Sequence, residues 1–200
     1  CKPFLESEAN YEAFRSEKFH ADAACIRRSA YTAIQAGSFG FTYGAQGLYA
    51  GVLDHDLPGP THRWGPVLTW DEGLALPGGA QLQHLRSCYE SVCWWRLEPR
   101  PDAVVPQSDV LVKADGDATF LVYFPPADAP RPPLRLAGSR HGAGYTATWF
   151  DPRNGNTQRL PDRLTSGPDG LALPAAPDGL DWMLILEKAT VKPAASVSAF

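Results

Sequence analysis

Phe39-Gly40-Phe41-Thr42-Tyr43-Gly44 reads as a short strand closed by a glycine, and what stands on either side of it sets the fold class. Upstream, Asp22 can cap a helix whose apolar positions Ile26, Ala30, Ala33 and Ile34 follow helical spacing, with Gly37 as its stop. Before that helix, Phe4-Leu5-Glu6-Ser7 is short and apolar at its start, compatible with a buried strand. Downstream, after a loop of about 30 residues, Leu82, Leu85, Tyr89 and Val92 mark a second amphipathic helix with Pro77 near its first turn. Strands that alternate with helices indicate βα units and a parallel sheet.

The second half of the chain reads differently. Val110-Leu111-Val112, the run Thr119 to Phe124, Leu134-Arg135-Leu136, the run Tyr145 to Phe150 and the run Trp182 to Leu186 are strand candidates. Between them lie turn signals: Asp115-Gly116-Asp117, Asn154-Gly155, Pro168-Asp169-Gly170 and Pro177-Asp178-Gly179. Asn154-Gly155 is the strongest, since both residues tolerate the positive φ of a type I′ hairpin. Tyr145, Ala147 and Trp149 alternate with Thr146, Thr148 and Phe150 as a half-buried strand requires. The expected fold class is therefore α/β plus all-β, the second part an antiparallel β-sandwich.

Composition sharpens the division. Proline rises from 6 in the first hundred residues to 13 in the second, and Pro99-Arg100-Pro101-Asp102 is the expected joint, giving domains at 1–100 and 103–190 and a frayed tail at 191–200. Two βα units cannot close a (β/α)8 barrel, which usually takes about 250 residues, and two strands alone make a poor core. The first half is thus expected to be the last quarter of such a barrel, and the chain a fragment. The opening Cys1-Lys2-Pro3-Phe4-Leu5 fits that expectation, with neither an initiator methionine nor the apolar core of a signal peptide.

Formal net charge is -4, which excludes a nucleic-acid partner held by neutralising phosphates. No apolar run approaches the roughly 20 residues that would span a bilayer, so no membrane partner is expected. Cys1, Cys25, Cys88 and Cys93 do not make a disulfide scaffold, and the spacing of the last two matches neither a zinc nor a redox pair.

Acidic residues crowd the exit of the first strand: Glu6, Glu8 and Glu12. Side chains alternate along a strand, so Glu6 and Glu8 share a face. A carboxylate at the C-terminal end of a barrel strand stands where such enzymes place their chemistry, and paired with a second carboxylate it could hydrolyse a glycoside. The other reading is a solvated acidic strand exit. The loop from Ala45 to Thr69 carries Tyr49, Asp54, His55, Asp56, His62, Arg63 and Trp64, the mixture of aromatic faces and polar groups that sugars use. Its histidines and aspartates could also hold a metal, although no regular element fixes their geometry. Gly37, Gly40, Gly44 and Gly47 fit no phosphate loop. Ser139-Arg140-His141 reads as a turn, and Trp94-Trp95 as a seal between the two halves.

These residues resemble a known family. The stretch Lys2 to Glu12 is similar to the seventh-strand motif of apiosidase-like (β/α)8 glycoside hydrolases. Arg27-Arg28-Ser29-Ala30-Tyr31 and the stretch Ala36 to Gly44 resemble their seventh helix and eighth strand, and the stretches Pro77 to Leu82 and Glu90 to Trp94 their eighth helix. Phe120 to Pro125, Trp149 to Gly155 and Asp181 to Leu184 resemble the β-sandwich, often labelled a collagen-binding domain, that follows such barrels. The resemblance implies a secreted or periplasmic retaining glycoside hydrolase acting on a plant or other polysaccharide, with no cofactor and no metal. Glu8 would be the nucleophile, and the acid/base residue would lie on an earlier strand outside these 200 residues, so that the chain alone would be inactive. Tyr43, His55 and Trp64 would shape the sugar site. Where the family often carries histidines around Thr-Tyr-Gly of strand eight, this sequence has Phe41 and Ala45. That departure motivates an alternative, a non-catalytic module that binds carbohydrate or protein. A third reading is a sandwich that merely caps the barrel.

Overall fold

The structure, a computed structural model, describes residues 2–49, 51–54 and 68–189. Helix α1 (Ala23–Gln35) starts where the sequence predicts: the Asp22 carboxylate accepts from the Cys25 N–H at 2.9 Å. It ends at Gly37, whose φ of +103° suits glycine. The buried stripe is Ile26, Arg27, Ala30, Tyr31 and Gln35, so two of its five members are polar.

The two expected strands do run side by side and parallel. Phe39 N–H donates to Phe4 O, Glu6 N–H to Gly40 O and Thr42 N–H to Glu6 O. The regular ladder nevertheless forms further along, where β1 (Tyr11–Glu12) pairs in parallel with β2 (Gly44–Ala45). The Ser38 hydroxyl explains the delay. It accepts from Glu6 N–H and donates to backbone carbonyls of Phe4 and Gly40, competing with the ladder at its start.

Two helices follow: α2 (Trp70–Leu74) and α3 (Pro77–Glu90). Helix α2 is opened by a capping box in which Thr69 and Glu72 satisfy each other's backbone N–H. In α3, Pro77 takes the first turn, where its missing N–H costs nothing.

The rest is antiparallel. The strands are β3 (Glu98–Pro99), β4 (Val104–Val105), β5 (Leu111–Asp115), β6 (Thr119–Phe124), β7 (Arg135–Leu136), β8 (Gly144–Phe150), β9 (Thr157–Arg159), β10 (Leu164–Thr165), β11 (Leu171–Ala172) and β12 (Trp182–Lys188). The larger sheet runs β10-β8-β12-β6-β5-β3 with β9 beside β8, and a small sheet runs β11-β7-β4. At its centre β12 pairs with β6 from Trp182↔Phe124 to Glu187↔Thr119.

Alternation then divides the side chains of the large sheet between two cores. Phe120, Val122 and Phe124 of β6, with Trp182, Leu184 and Leu186 of β12 and Tyr145, Ala147 and Trp149 of β8, face the small sheet. Leu121, Tyr123, Met183, Ile185 and Phe150 point the other way, into a second core with Tyr31, Cys88, Tyr89 and Leu97. Strands buried on both faces read as continuous apolar runs, which is why Thr119 to Phe124 and Trp182 to Leu186 show no polar face.

Two expectations need correction and a third gains detail. The expected joint Pro99-Arg100-Pro101-Asp102 is tied to the large sheet: Pro99 lies in edge strand β3 opposite Lys113, and Arg100 N–H donates to Val112 O. An edge strand tolerates proline because one row of its backbone groups needs no partner. Asn154-Gly155 does not make a type I′ turn, since only Gly155 has positive φ (+75°). The hairpin closes at Asp151 N–H→Asn156 O, and the Asp151 carboxylate accepts from Arg153 and Asn154 inside the wider loop. Finally, Trp94 and Trp95 do not seal the halves. They are 49% and 67% exposed and meet edge-on with centroids 6.0 Å apart, beside exposed Phe39 in a groove of about 430 Å³. The seal is made instead by Tyr31, Tyr89 and Leu97 on the second core, by Gln35, and by an Arg27–Asp181 ion pair.

Candidate active site

Glu8 lies between two parallel bridges, Glu6↔Phe41 before it and Tyr11↔Gly44 after it, at the exit of the first strand. Its side chain is exposed. The Tyr11 hydroxyl donates to Glu8 Oε1 at 2.9 Å, and the Tyr49 ring stands edge-on to the Tyr11 ring with centroids 5.2 Å apart. The bond to Glu8, together with burial, raises the Tyr11 hydroxyl above the ordinary phenol range.

The three neighbouring carboxylates have different environments. Glu6 Oε1 accepts from the Glu8 N–H at 3.3 Å, so Glu6 braces the backbone that carries Glu8. Glu12 is 2% exposed and faces inward. Its oxygens accept from the Gly78 N–H, in the first turn of α3, at 3.0 and 2.9 Å and from the Tyr43 hydroxyl at 2.6 Å. An anion on the N-terminus of a 14-residue helix meets an unpaired donor and a favourable dipole. Glu12 is thus a structural carboxylate, and of the three only Glu8 is both open and held by a side-chain donor.

Of the sequence candidates, the structure brings Tyr43 to Glu12 rather than to Glu8. Burial and the Glu12 contact hold its hydroxyl well above the usual phenol range, and its ring fills the space over Gly79. Its hydroxyl is committed to the scaffold. His55 and Trp64 lie outside the described residues, as do Asp56, His62 and Arg63. Ala45, where the resembled family often has histidine, is fully buried and pairs with Glu12. Sequence reasoning missed Tyr11 and Glu12 as a unit, although Tyr11 stands three residues after Glu8 and both follow a strand exit.

Among the described residues no group of three histidine, cysteine, aspartate or glutamate side chains could hold a metal ion, and no helix is long and apolar enough to cross a membrane. A hollow of about 650 Å³ opens in the β half between Phe124, Arg131, Leu134, Pro174 and Gly179, and it includes none of the candidate residues. Ser139 donates to Leu136 O in a turn, as its sequence suggests.

Comparison with known proteins places these features in a wider setting. Residues 1–96 match the family described as apiosidase-like, catalytic domain. No curated protein matches the chain. A solved glycoside hydrolase shares the fold over 94% of this chain and 43% of its own length, with 19% identity and a TM-score of 0.79. A glycoside hydrolase family 5 protein from Bacteroides vulgatus does so over 93% of this chain and 41% of its own, with 18% identity and a TM-score of 0.76. The chain therefore spans less than half the length of these structures.

Proposed function

We propose, from the match of residues 1–96 to the apiosidase-like catalytic domain, that the chain carries the closing part of a (β/α)8 barrel and its β-sandwich in a retaining glycoside hydrolase. The observation that carries the reading is Glu8: an exposed carboxylate just past a parallel-paired strand, with a tyrosine hydroxyl on one oxygen. In this reading Glu8 attacks the anomeric carbon. An acid on a strand outside these 200 residues, its carboxyl about 5–5.5 Å from that of Glu8 so that no water fits between them, protonates the leaving oxygen. Glu6 and Glu12 do not compete for that role, since one braces the Glu8 backbone and the other is buried on α3. Tyr43, His55 and Trp64 help shape the sugar site, Tyr43 as a ring whose hydroxyl is already tied to Glu12.

The substrate class is a plant or other polysaccharide, and the family's name points to apiosyl units in particular. The sandwich serves as a brace: its large sheet buries one face on α1 and α3 rather than offering it to a ligand. The protein is expected outside the cytoplasm, where such polymers are met.

The test is sugar release from a panel of plant polysaccharides and 4-nitrophenyl β-D-apioside by the full-length polypeptide and its Glu8→Gln variant. Removing the nucleophile should cost about a thousandfold or more in kcat. Activity that survives the substitution moves the nucleophile elsewhere. The 200-residue chain alone should release no sugar, and turnover by it would overturn the assignment of the acid to another segment.

A further inference from the structure

Tyr11 is seated with more care than a chance surface tyrosine. It pairs in register with Gly44, and a Cβ there would fall 2.6 Å from Tyr11 Cε1, so the ring lies in a space that only glycine leaves open. Tyr49 closes the ring from another side, edge-on at 64°. The next residue, Glu12, is anchored to α3 and to Tyr43, which fixes the backbone beside Tyr11. With ring and backbone both held, the hydroxyl donates to Glu8 Oε1, its one hydrogen-bond partner among the described residues.

We infer that Tyr11 is a positioning residue for Glu8, selecting which carboxylate oxygen reacts and stabilising that carboxylate when it departs; this rests on Glu8 being the nucleophile. Oε1 is occupied by the Tyr11 proton, which leaves Oε2 to form the bond to the anomeric carbon. In that first step the glycosidic C–O bond breaks and its electron pair leaves with the aglycone oxygen, which takes a proton from the acid. In the second step water attacks the anomeric carbon and gives a proton to the conjugate base of that acid. The C–Oε2 bond breaks and its electron pair returns to Glu8. A phenol that donates to the developing carboxylate favours this departure, as any donor favours the charge it faces. Tyr11 keeps its proton throughout, because its hydroxyl is held above the ordinary range.

The experiment uses the full-length polypeptide, its Tyr11→Phe variant and Glu8→Gln, with 4-nitrophenyl β-D-apioside. Phenylalanine keeps the ring against Gly44 and Tyr49 and deletes only the donor. Loss of a hydrogen bond to a charged group corresponds to about a tenfold or larger fall in kcat. Because departure of Glu8 is the step most affected, KM should fall with kcat, the glycosyl-enzyme should accumulate as a sugar-sized mass increase, and the acidic limb of kcat/KM should move to higher pH. A tyrosine that serves packing alone moves none of these. If Glu8→Gln is dead while Tyr11→Phe matches wild type in kcat, KM and pH profile, the Tyr11 inference fails and the Glu8 reading stands. If Glu8→Gln retains activity, the Glu8 reading itself fails.

Discussion

The Arg27 guanidinium and the Asp181 carboxylate meet as a two-pronged buried pair, Nε to Oδ2 at 2.9 Å and Nη2 to Oδ1 at 2.8 Å. Arg27 is on α1 and Asp181 immediately precedes β12, 154 residues later, and the third arm of the guanidinium reaches Gln81 on α3. One contact therefore ties both helices to the sheet. Breaking a buried pair strands the remaining charge at a cost of about 3–5 kcal/mol. Asp181→Ala should lower the unfolding free energy from denaturant titration by that much. The double variant Arg27→Met, Asp181→Leu should recover most of the loss, because it strands no charge. A single variant within 1 kcal/mol of wild type would mean that water reaches the pair.

Tyr31 and Tyr123 stack across the same seam at 5.1 Å, and both hydroxyls are buried without a hydrogen-bond partner among the described residues. Burying an unpaired hydroxyl costs about 1–3 kcal/mol, whereas the ring contact survives as phenylalanine. Tyr31→Phe and Tyr123→Phe should be neutral or stabilising in thermal denaturation. A loss of more than 1 kcal/mol in either would reveal a bridging water or a partner.

Much of this architecture was legible in local chemistry. The Asp22 cap, the Gly37 stop and Pro77 at the start of α3 are signals carried by single residues, and the longer strands announce themselves by apolar runs. The Thr69–Glu72 capping box carried an equally local signal, missed because α2 has only five residues inside what reads as loop. The contacts that fasten the joint were not legible. Pro99 looks like a linker residue until a partner strand occupies its other edge, and Arg27, Gln35 and Asp181 are polar residues whose burial depends on partners far along the chain. At the candidate site the strand exit offers Glu6 and Glu8 alike, and only the family resemblance singles out Glu8. That Glu12 is buried and Tyr11 is Glu8's donor follows from the register of β1 on β2, which alternation alone does not supply.

Cys88 offers a pH test of the second core. It is fully buried, and burial pushes its thiol up to about 12. In the unfolded chain a thiol titrates near about 8.5. Below that value both states hold the proton and Cys88 adds no slope. Above it the unfolded state loses the proton while the folded state keeps it, so stability falls by about 1.4 kcal/mol per pH unit until the folded value is reached. The difference in unfolding free energy between wild type and Cys88→Ala should therefore be constant from pH 6 to 8. From pH 8.5 to 10 it should shift toward the variant. A flat difference across the whole range would show that the thiol is open to solvent, and rapid alkylation of native Cys88 at pH 8 would say the same.

Glu12 links the scaffold to the site, and two substitutions separate its interactions. Tyr43→Phe removes a hydrogen bond to a buried carboxylate, a loss of about 1.5–3 kcal/mol, while Gly78 N–H still faces the anion. Gly78→Ala should be worse than helix propensity suggests. Alanine ordinarily gains up to about 1 kcal/mol over glycine inside a helix. Here its Cβ would fall 2.8 Å from Glu12 Cδ, and a carboxylate held by Tyr43 and the helix terminus swings aside only by giving up those bonds. Gly78→Ala should thus destabilise, and because the displaced Glu12 adjoins Tyr11, it should also loosen the Tyr11 hydroxyl from Glu8. Thermal midpoints give the first effect. The second would appear as a kcat loss in the full-length polypeptide resembling that of Tyr11→Phe. Gly78→Ala at or above wild-type stability would mean that Glu12 relaxes freely, and the anchor assigned to it would be wrong.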